Sequence, residues 1–227
     1  MTTGSRRGWL VPPALIALSV IPLVSGALRL VEVAGGPALM PDNPRVDASP
    51  VPVVVHVLAA AVYALVGAFQ FPARLRRNHR TWHRRAGRVL VVAGLLVAGS
   101  GLWMTLFYAG APGGWLLWAV RLVVSSAMGT ALVLGFTAIR RRDLPSHRAW
   151  MIRAYALGLG AGTQVLTQGL GQAAFGTGEL STALSVSAGW VVNAAVAEVV
   201  IRRSPRRSGP SRHPGTSARI LARTAER

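Results

Sequence analysis

Two segments of the chain carry residue types that do chemistry, and they share one spacing. His79-Arg80-Thr81-Trp82-His83-Arg84-Arg85 and His147-Arg148-Ala149-Trp150-Met151-Ile152-Arg153 both read His-Arg-x-Trp-x-x-Arg. A guanidinium presents a rigid fork of donors that matches phosphate and carboxylate oxygens, and an imidazole adds a hydrogen bond that changes with its protonation. Each segment lies between two long apolar stretches, so each reads as a polar turn leading into a helix, where free backbone N–H groups favour an anion. His83, Arg84, Arg88, His147, Arg148 and Arg153 are therefore candidate ligands for a lipid phosphate or another small acidic group, with Gln70 at the end of the preceding apolar run. The same residues have a plainer use. Basic flanks hold helix ends at the headgroups, and Trp82 and Trp150 serve as interfacial anchors.

The match continues past the motif. With residues 79–102 laid on 147–170, ten of twenty-four positions are identical, and six of those are small or aliphatic pairs that come cheaply in apolar sequence. The His, Arg, Trp and second Arg do not. The pattern predicts a duplicated helical hairpin with its polar turn at one end.

The elements that must position these turns follow from composition. Hydrophobic residues make up 52% of the 227, and the mean hydropathy is +0.43. Six apolar windows, at 9–33, 51–71, 89–109, 115–139, 150–170 and 180–201, are each long enough to cross a hydrocarbon layer about 30 Å thick as a helix. Spanning segments must satisfy their own backbone, which makes them helices. The expected fold is an all-α, polytopic membrane helix bundle over residues 1–201, with six transmembrane helices and a duplicated hairpin core in the second to fifth. Residues 202–227, rich in Arg, Ser, Pro and Gly, read as a basic tail that cannot bury a core. Ser5-Arg6-Arg7-Gly8-Trp9-Leu10 resembles an export signature and Val24-Ser25-Gly26-Ala27 a cleavage site. The apolar run continues past Ala27 and five more windows follow, so a retained first helix is expected, kinked at Pro22.

The net charge is +18. All the basic side chains are arginines, and all but Arg29, Arg45 and Arg121 fall at the N-terminus, in the two His-Arg turns or in the tail. The positive-inside rule then places both termini and both turns in the cytoplasm, in a bacterial cytoplasmic membrane. That asymmetry accounts for the charge without nucleic acid. The expected partners are membrane lipids, anionic phospholipid foremost. The absence of cysteine excludes disulfides and thiol-ligated metals.

Ionisable groups inside a bilayer are costly unless paired or hydrated, so they mark a second candidate set. His56, Arg121, Gln164 and Gln168 all fall in the outer halves of their windows and could line an outward-facing polar pocket together with Arg29 and Glu32, which sit three apart on one helix face. Such a pocket would suit a small-solute transporter. A b-type haem needs two histidines on facing helices at matching depth. Only His56 lies within the bilayer, and His83 with His147 would form a shallow pair at the edge. Haem b or a quinone near those two, or a quinone near His56, is thus the redox alternative. No set of metal ligands, catalytic triad or phosphate-cradling glycine loop is visible, and Gly158, Gly160 and Gly162 read as close helix packing. A non-enzymatic membrane protein is the expectation.

His56, Tyr63, Gly67, Gln70-Phe71 and Arg74, then His83-Arg84-x-x-Gly87-Arg88, then His147-Arg148-x-Trp150-Met151-x-Arg153-x-Tyr155-Ala156-Leu157 resemble the bacterial membrane proteins of domain of unknown function 2306, over roughly residues 50–170. The resemblance implies a multi-span membrane protein and no particular activity. It pairs His83 with His147, one helical turn away from the internal match. His83-Arg84-x-x-Gly87-Arg88 alone also resembles a cytoplasmic turn of ferric reductases, whose haem histidines lie within spans where this chain has none.

Overall fold

A computed structural model describes residues 4–110 and 112–203, with side chains from Trp9 onward. Every regular element among them is a helix: α1 (Gly4–Val33), α2 (Pro44–Ala48), α3 (Val51–Ala68), α4 (Ala73–Asn78), α5 (Arg80–Phe107), α6 (Gly114–Arg140), α7 (Leu144–Gly158), α8 (Gly160–Phe175) and α9 (Glu179–Arg202). The tail beyond Arg203 lies outside the described residues. The first helix runs without interruption past Ala27. Among the described residues five stretches are long and apolar enough to span: Trp9–Val33 within α1, and α3, α5, α6 and α9.

The sixth expected span is interrupted. Residues 150–170 fall across α7 and α8, which meet at Leu159 (φ −82°, ψ 3°) between Gly158 and Gly160. Two glycines beside one residue lower helix propensity at a single point, and the Gly162 N–H bonds back three residues to the Leu159 carbonyl instead of four. Neither half alone reaches spanning length. The break is bridged from α9, where Asn193 Nδ2 donates to the Ala156 carbonyl at 2.9 Å and its Oδ1 accepts from Thr163 Oγ1 at 2.7 Å.

The helices pack through small residues. Ala59, Ala68, Ala86, Ala93, Ala98, Ala131, Ala154, Ala183 and Ala197 are buried, whereas Leu117 and Leu132 are the largest fully buried side chains among the described residues. Lipid offers no hydrophobic drive for helices to associate, so close backbone approach must supply the contact. At Gly162 that approach is extreme. Pro22 leaves the Leu18 carbonyl of α1 without its helical donor, and this carbonyl faces Gly162, where any side chain would collide with it. Gly160 lies against the Trp190 indole and Gly189 against the Gln164 backbone, so α8 and α9 pack intimately. Large apolar side chains such as Ile21, Val92, Phe107, Val123 and Leu170 point outward, as a lipid-facing surface requires.

The two hairpins, α3 with α5 and α6 with α7, fix the register of the repeat. His79 caps α5 and Asp143 caps α7, sixty-four residues apart, and His83 and His147 each bond back to the cap carbonyl at 3.0 Å. Gly94 and Gly158 keep the same separation. A Cβ at either would lie 2.7 Å from a Tyr63 ring carbon, so the two glycines clasp one ring. In the second helices the family-motif register therefore holds, and the internal match at sixty-eight is one turn out. Apolar helices with small residues recurring every four positions allow such a shift.

Candidate functional site

At the arginine-rich end, α3 stops at Ala68 and Pro72 turns the chain into the short α4. There the Arg76 guanidinium reaches back and donates to the Phe71 carbonyl at 2.9 Å. Phe71 is itself fixed by packing on Tyr155, with ring centroids 5.0 Å apart, and Tyr155 Oη donates to the Ala64 carbonyl at 2.8 Å. The aromatic ladder Tyr63–Tyr155–Phe71 thus sets the height of α4 above the bundle. Arg76 is half-buried. Burial, and then the neighbouring charges of Arg148 and Arg77, pull its guanidinium below the ordinary arginine value.

His83 stands one turn into α5, within electrostatic reach of Arg76, His147 and Arg84. Its Nδ1 is buried and has no hydrogen-bond partner among the described residues, and neither has the buried Nε2 of Gln70, next to Phe71. His147 stands at the matching point of α7, with Nδ1 2.8 Å from the Gly135 carbonyl. A carbonyl can only accept, so Nδ1 carries the proton and Nε2 is the open position. Gly135 makes this possible, because a side chain there would run into Met151 and Trp150.

The turn that presents His147 is three residues long. Arg142 (φ 63°) takes the left-handed conformation, its N–H bonds the Ile139 carbonyl at 3.1 Å, and the Asp143 N–H bonds the Ala138 carbonyl at 2.9 Å. These two bonds close α6 in a Schellman motif. The Asp143 carboxylate then accepts from the Ser146 N–H at 3.1 Å and opens α7. The Ser146 side chain, and then that backbone bond, hold the carboxyl below its ordinary value.

Of the remaining candidates at this end, Arg84, Arg88 and Arg148 are exposed. Arg153 turns away. Its Nε and Nη2 meet the Glu198 carboxylate at 2.6 and 3.1 Å, and its guanidinium covers the Trp150 ring at 4.7 Å. Glu198 is indeed partner to an arginine. With Asp143 capping a helix, both carboxylates at this end among the described residues are engaged. Arg76 was not singled out by sequence, and the only signal for it was its place among the arginines that follow the second apolar window.

In the outer set, His56 and Gln164 each have a partner of their own. His56 Nδ1 lies 2.9 Å from Ser100 Oγ, which in turn donates to the Leu96 carbonyl at 2.5 Å, so α3 and α5 share it. Gln164 donates to the Val186 carbonyl at 3.2 Å between α8 and α9. Gln168 is half-buried on α8. Arg29 and Glu32 do pair, at 2.7 Å, and they pin the first loop: Glu32 Oε1 accepts from the N–H groups of Leu39 and Met40, both at 2.6 Å, while Arg29 donates to the Pro41 carbonyl at 2.9 Å. Among the described residues no three His, Cys, Asp or Glu side chains converge as metal ligands do.

Apolar helices packed through small residues, with a charged cluster at one end, define an integral, multi-span membrane protein. A family model described as "Predicted membrane protein (DUF2306)" matches residues 53–201, and the chain belongs to that family. The matched stretch runs from α3 to α9 and so contains both hairpins and the bridged break. No curated protein and no solved structure matches the chain.

Proposed function

We propose that the paired His-Arg turns bind an anionic group, either the phosphate of an acidic phospholipid or a small free oxyanion, at a face turned to the cytoplasm. The observation that carries this reading is the pair of buried, unpartnered polar atoms, Gln70 Nε2 and His83 Nδ1, beside the half-buried cation Arg76. Buried polar groups are nearly always hydrogen-bonded in native proteins, so two orphans in one corner call for an outside partner. Arginine supplies the fork for an oxyanion, while Gln70, His83 and His147 supply single bonds. Arg148 and Arg84 add exposed charge that draws the anion in. Arg153, neutralised by Glu198, stands outside the binding set.

The test is lipid and phosphate retention by protein purified in mild detergent. Replacing Arg76 and Arg148 together by glutamine should lower co-purified phosphatidylglycerol, measured by native mass spectrometry, or abolish thermal stabilisation by inorganic phosphate. No change in either quantity refutes the reading. The second reading, haem or quinone, draws on the His147 tautomer, whose open Nε2 is oriented from behind by the Gly135 carbonyl in the way metal-bound histidines are. A reduced-minus-oxidised visible spectrum distinguishes haem, because a Soret band lost on His147→Ala would favour it.

A further inference from the structure

His56 and Ser125 meet over a glycine, toward the end of the bundle away from the His-Arg turns. The place a Cβ would take on Gly101 of α5 lies 3.6 Å from His56 Cε1 and 3.3 Å from Ser125 Oγ. The histidine comes from α3 and the serine from α6, and both helices pack on α5. With only hydrogen on Gly101, the two polar side chains are the walls of a notch whose floor is backbone. All three residues are half-buried, so the notch is open and not sealed into the core. Its surroundings are apolar: Leu58 and Val123, two residues along from the histidine and the serine, are exposed as lipid-facing side chains are.

Neither wall is satisfied by the protein. Hydroxyls inside helices commonly bond back to the carbonyl four residues earlier, and Ser19, Ser100, Thr105 and Ser187 all do so. Ser125 makes no hydrogen bond with a described residue, and its oxygen lies over Gly101 instead. His56 is satisfied on one side. Its Nδ1 is 2.9 Å from Ser100 Oγ, whose single hydrogen is spent within α5, on the Leu96 carbonyl at 2.5 Å with the Val97 carbonyl at 3.2 Å. Nδ1–H is therefore the donor, and in the neutral ring Nε2 keeps a lone pair. No described residue donates to it.

A bare acceptor and a free hydroxyl flanking one notch in an apolar bundle are costly unless something bonds to them. The group that fits brings its own O–H and can also accept. A ketone, an ether or a carboxylate has no hydrogen to give. We propose that His56 and Ser125 bind the hydroxyl headgroup of a lipid-soluble phenol, hydroquinone or alcohol, whose O–H donates to His56 Nε2 and whose oxygen accepts from Ser125 Oγ. The notch shares no residue with the His-Arg corner and stands or falls separately.

The test uses the full chain with 15N-labelled histidine in phosphatidylcholine nanodiscs, read by NMR. The His56 signals are assigned by their loss in His56→Gln. Without ligand, Nδ1 should read as protonated and Nε2 as bare, and the opposite tautomer overturns the proposal. Added 4-decylphenol should move the Nε2 signal, whereas its methyl ether, which has no O–H, should leave it in place. Ser125→Ala breaks no internal hydrogen bond, so its fold is not at stake, and it should weaken the response to decylphenol roughly fivefold or more. Gly101→Ala fills the notch with a methyl group that its neighbours accommodate by a few tenths of an ångström. It should abolish the response while the unfolding midpoint holds or rises, since alanine favours helix. Equal shifts with the phenol and its ether, or an unchanged response in both variants, overturn the proposal. So does a larger response to decanoate than to decylphenol, which would shift the ligand class to acids and the determinant to Arg121, one turn before Ser125 on α6. Decylhydroquinone and 1-dodecanol then separate the sources. A response to the first alone identifies an aromatic hydroxyl, and a response to both identifies lipid alcohols in general.

Discussion

Arg142 occupies a position that glycine fills elsewhere in the same chain. At the end of α1, Gly35 (φ 87°) closes a Schellman motif with Gly35 and Gly36 N–H groups on the Glu32 and Val31 carbonyls. At the end of α6 an arginine takes the same role. Left-handed backbone costs an L-residue about 1–2 kcal/mol, so Arg142→Gly should raise the unfolding midpoint in detergent by an amount equivalent to roughly 1 kcal/mol. A lower midpoint would mean that the arginine side chain more than offsets its backbone. The clasp around Tyr63 gives the opposite sign: Gly158→Ala or Gly94→Ala should destabilise by about 1–3 kcal/mol through overpacking. Gly99, which has nothing within 4 Å of an added Cβ, is the control, since alanine there should be neutral or stabilising. The Asp143 cap gives a pH signature. Its folded carboxyl titrates below the unfolded one, so the cap is intact above the ordinary carboxylate range and is lost as pH falls below it. The protection factor of the Ser146 amide, taken against its intrinsic exchange rate at each pH, should fall at acid pH, and Asp143→Asn, which still accepts a hydrogen bond, should flatten that dependence.

At the scale of elements, the interrupted span is what the sequence showed least well. Residues 150–170 have the length and hydropathy of one helix, and nothing in a periodic pattern reveals that a bond ladder steps from four to three residues at Gly162. The signal was present in two parts: glycines at 158 and 160, and a lone Asn193 thirty-three residues past the second of them with no evident role. Their relation is purely tertiary. Asn193→Val should loosen α7 and α8 from α9 and cost roughly 0.6–2 kcal/mol, the range for interhelical hydrogen bonds in membranes. Equal stability of the variant would show that the Ala156 carbonyl finds another donor. Element boundaries shifted for a simpler reason. Hydropathy starts the third window at residue 89, but α5 begins at Arg80, because a helix can carry its charged first turns in the headgroup layer.

For the whole molecule, charge and hydropathy carried most of the reading. The all-helical bundle, the hairpin repeat and the concentration of cations at one end were all legible, since each depends on local composition. The make-up of the sites was legible only in part. His83 and His147 share a corner as their motifs suggested, but Arg153 is taken by Glu198 and Arg76 stands in the cluster instead. Which arginine is neutralised depends on where one glutamate lands, and spacing does not say that. Accordingly, Arg153→Gln should leave phosphate or lipid retention near wild type, while Arg76→Gln lowers it severalfold. Orientation can be checked directly because the chain has no native cysteine. A membrane-impermeant maleimide added to intact cells should label Asn43→Cys and spare Thr81→Cys, and the reverse pattern would invert the proposed topology.

The bridge from Asn193 also constrains how the chain is made. The segment with the break leaves the ribosome before α9, so for the time it takes to synthesise Glu179–Arg202 its Thr163 hydroxyl and the Ala156 carbonyl must wait for their partner. A nascent chain stopped just before Glu179 would hold a polar-notched, weakly apolar hairpin that the bilayer accepts poorly. Glycosylation tags placed after residue 176 in such stalled chains should report incomplete insertion, which is repaired once α9 is present. The last helix described, α9, would then be the one that lets its predecessor settle.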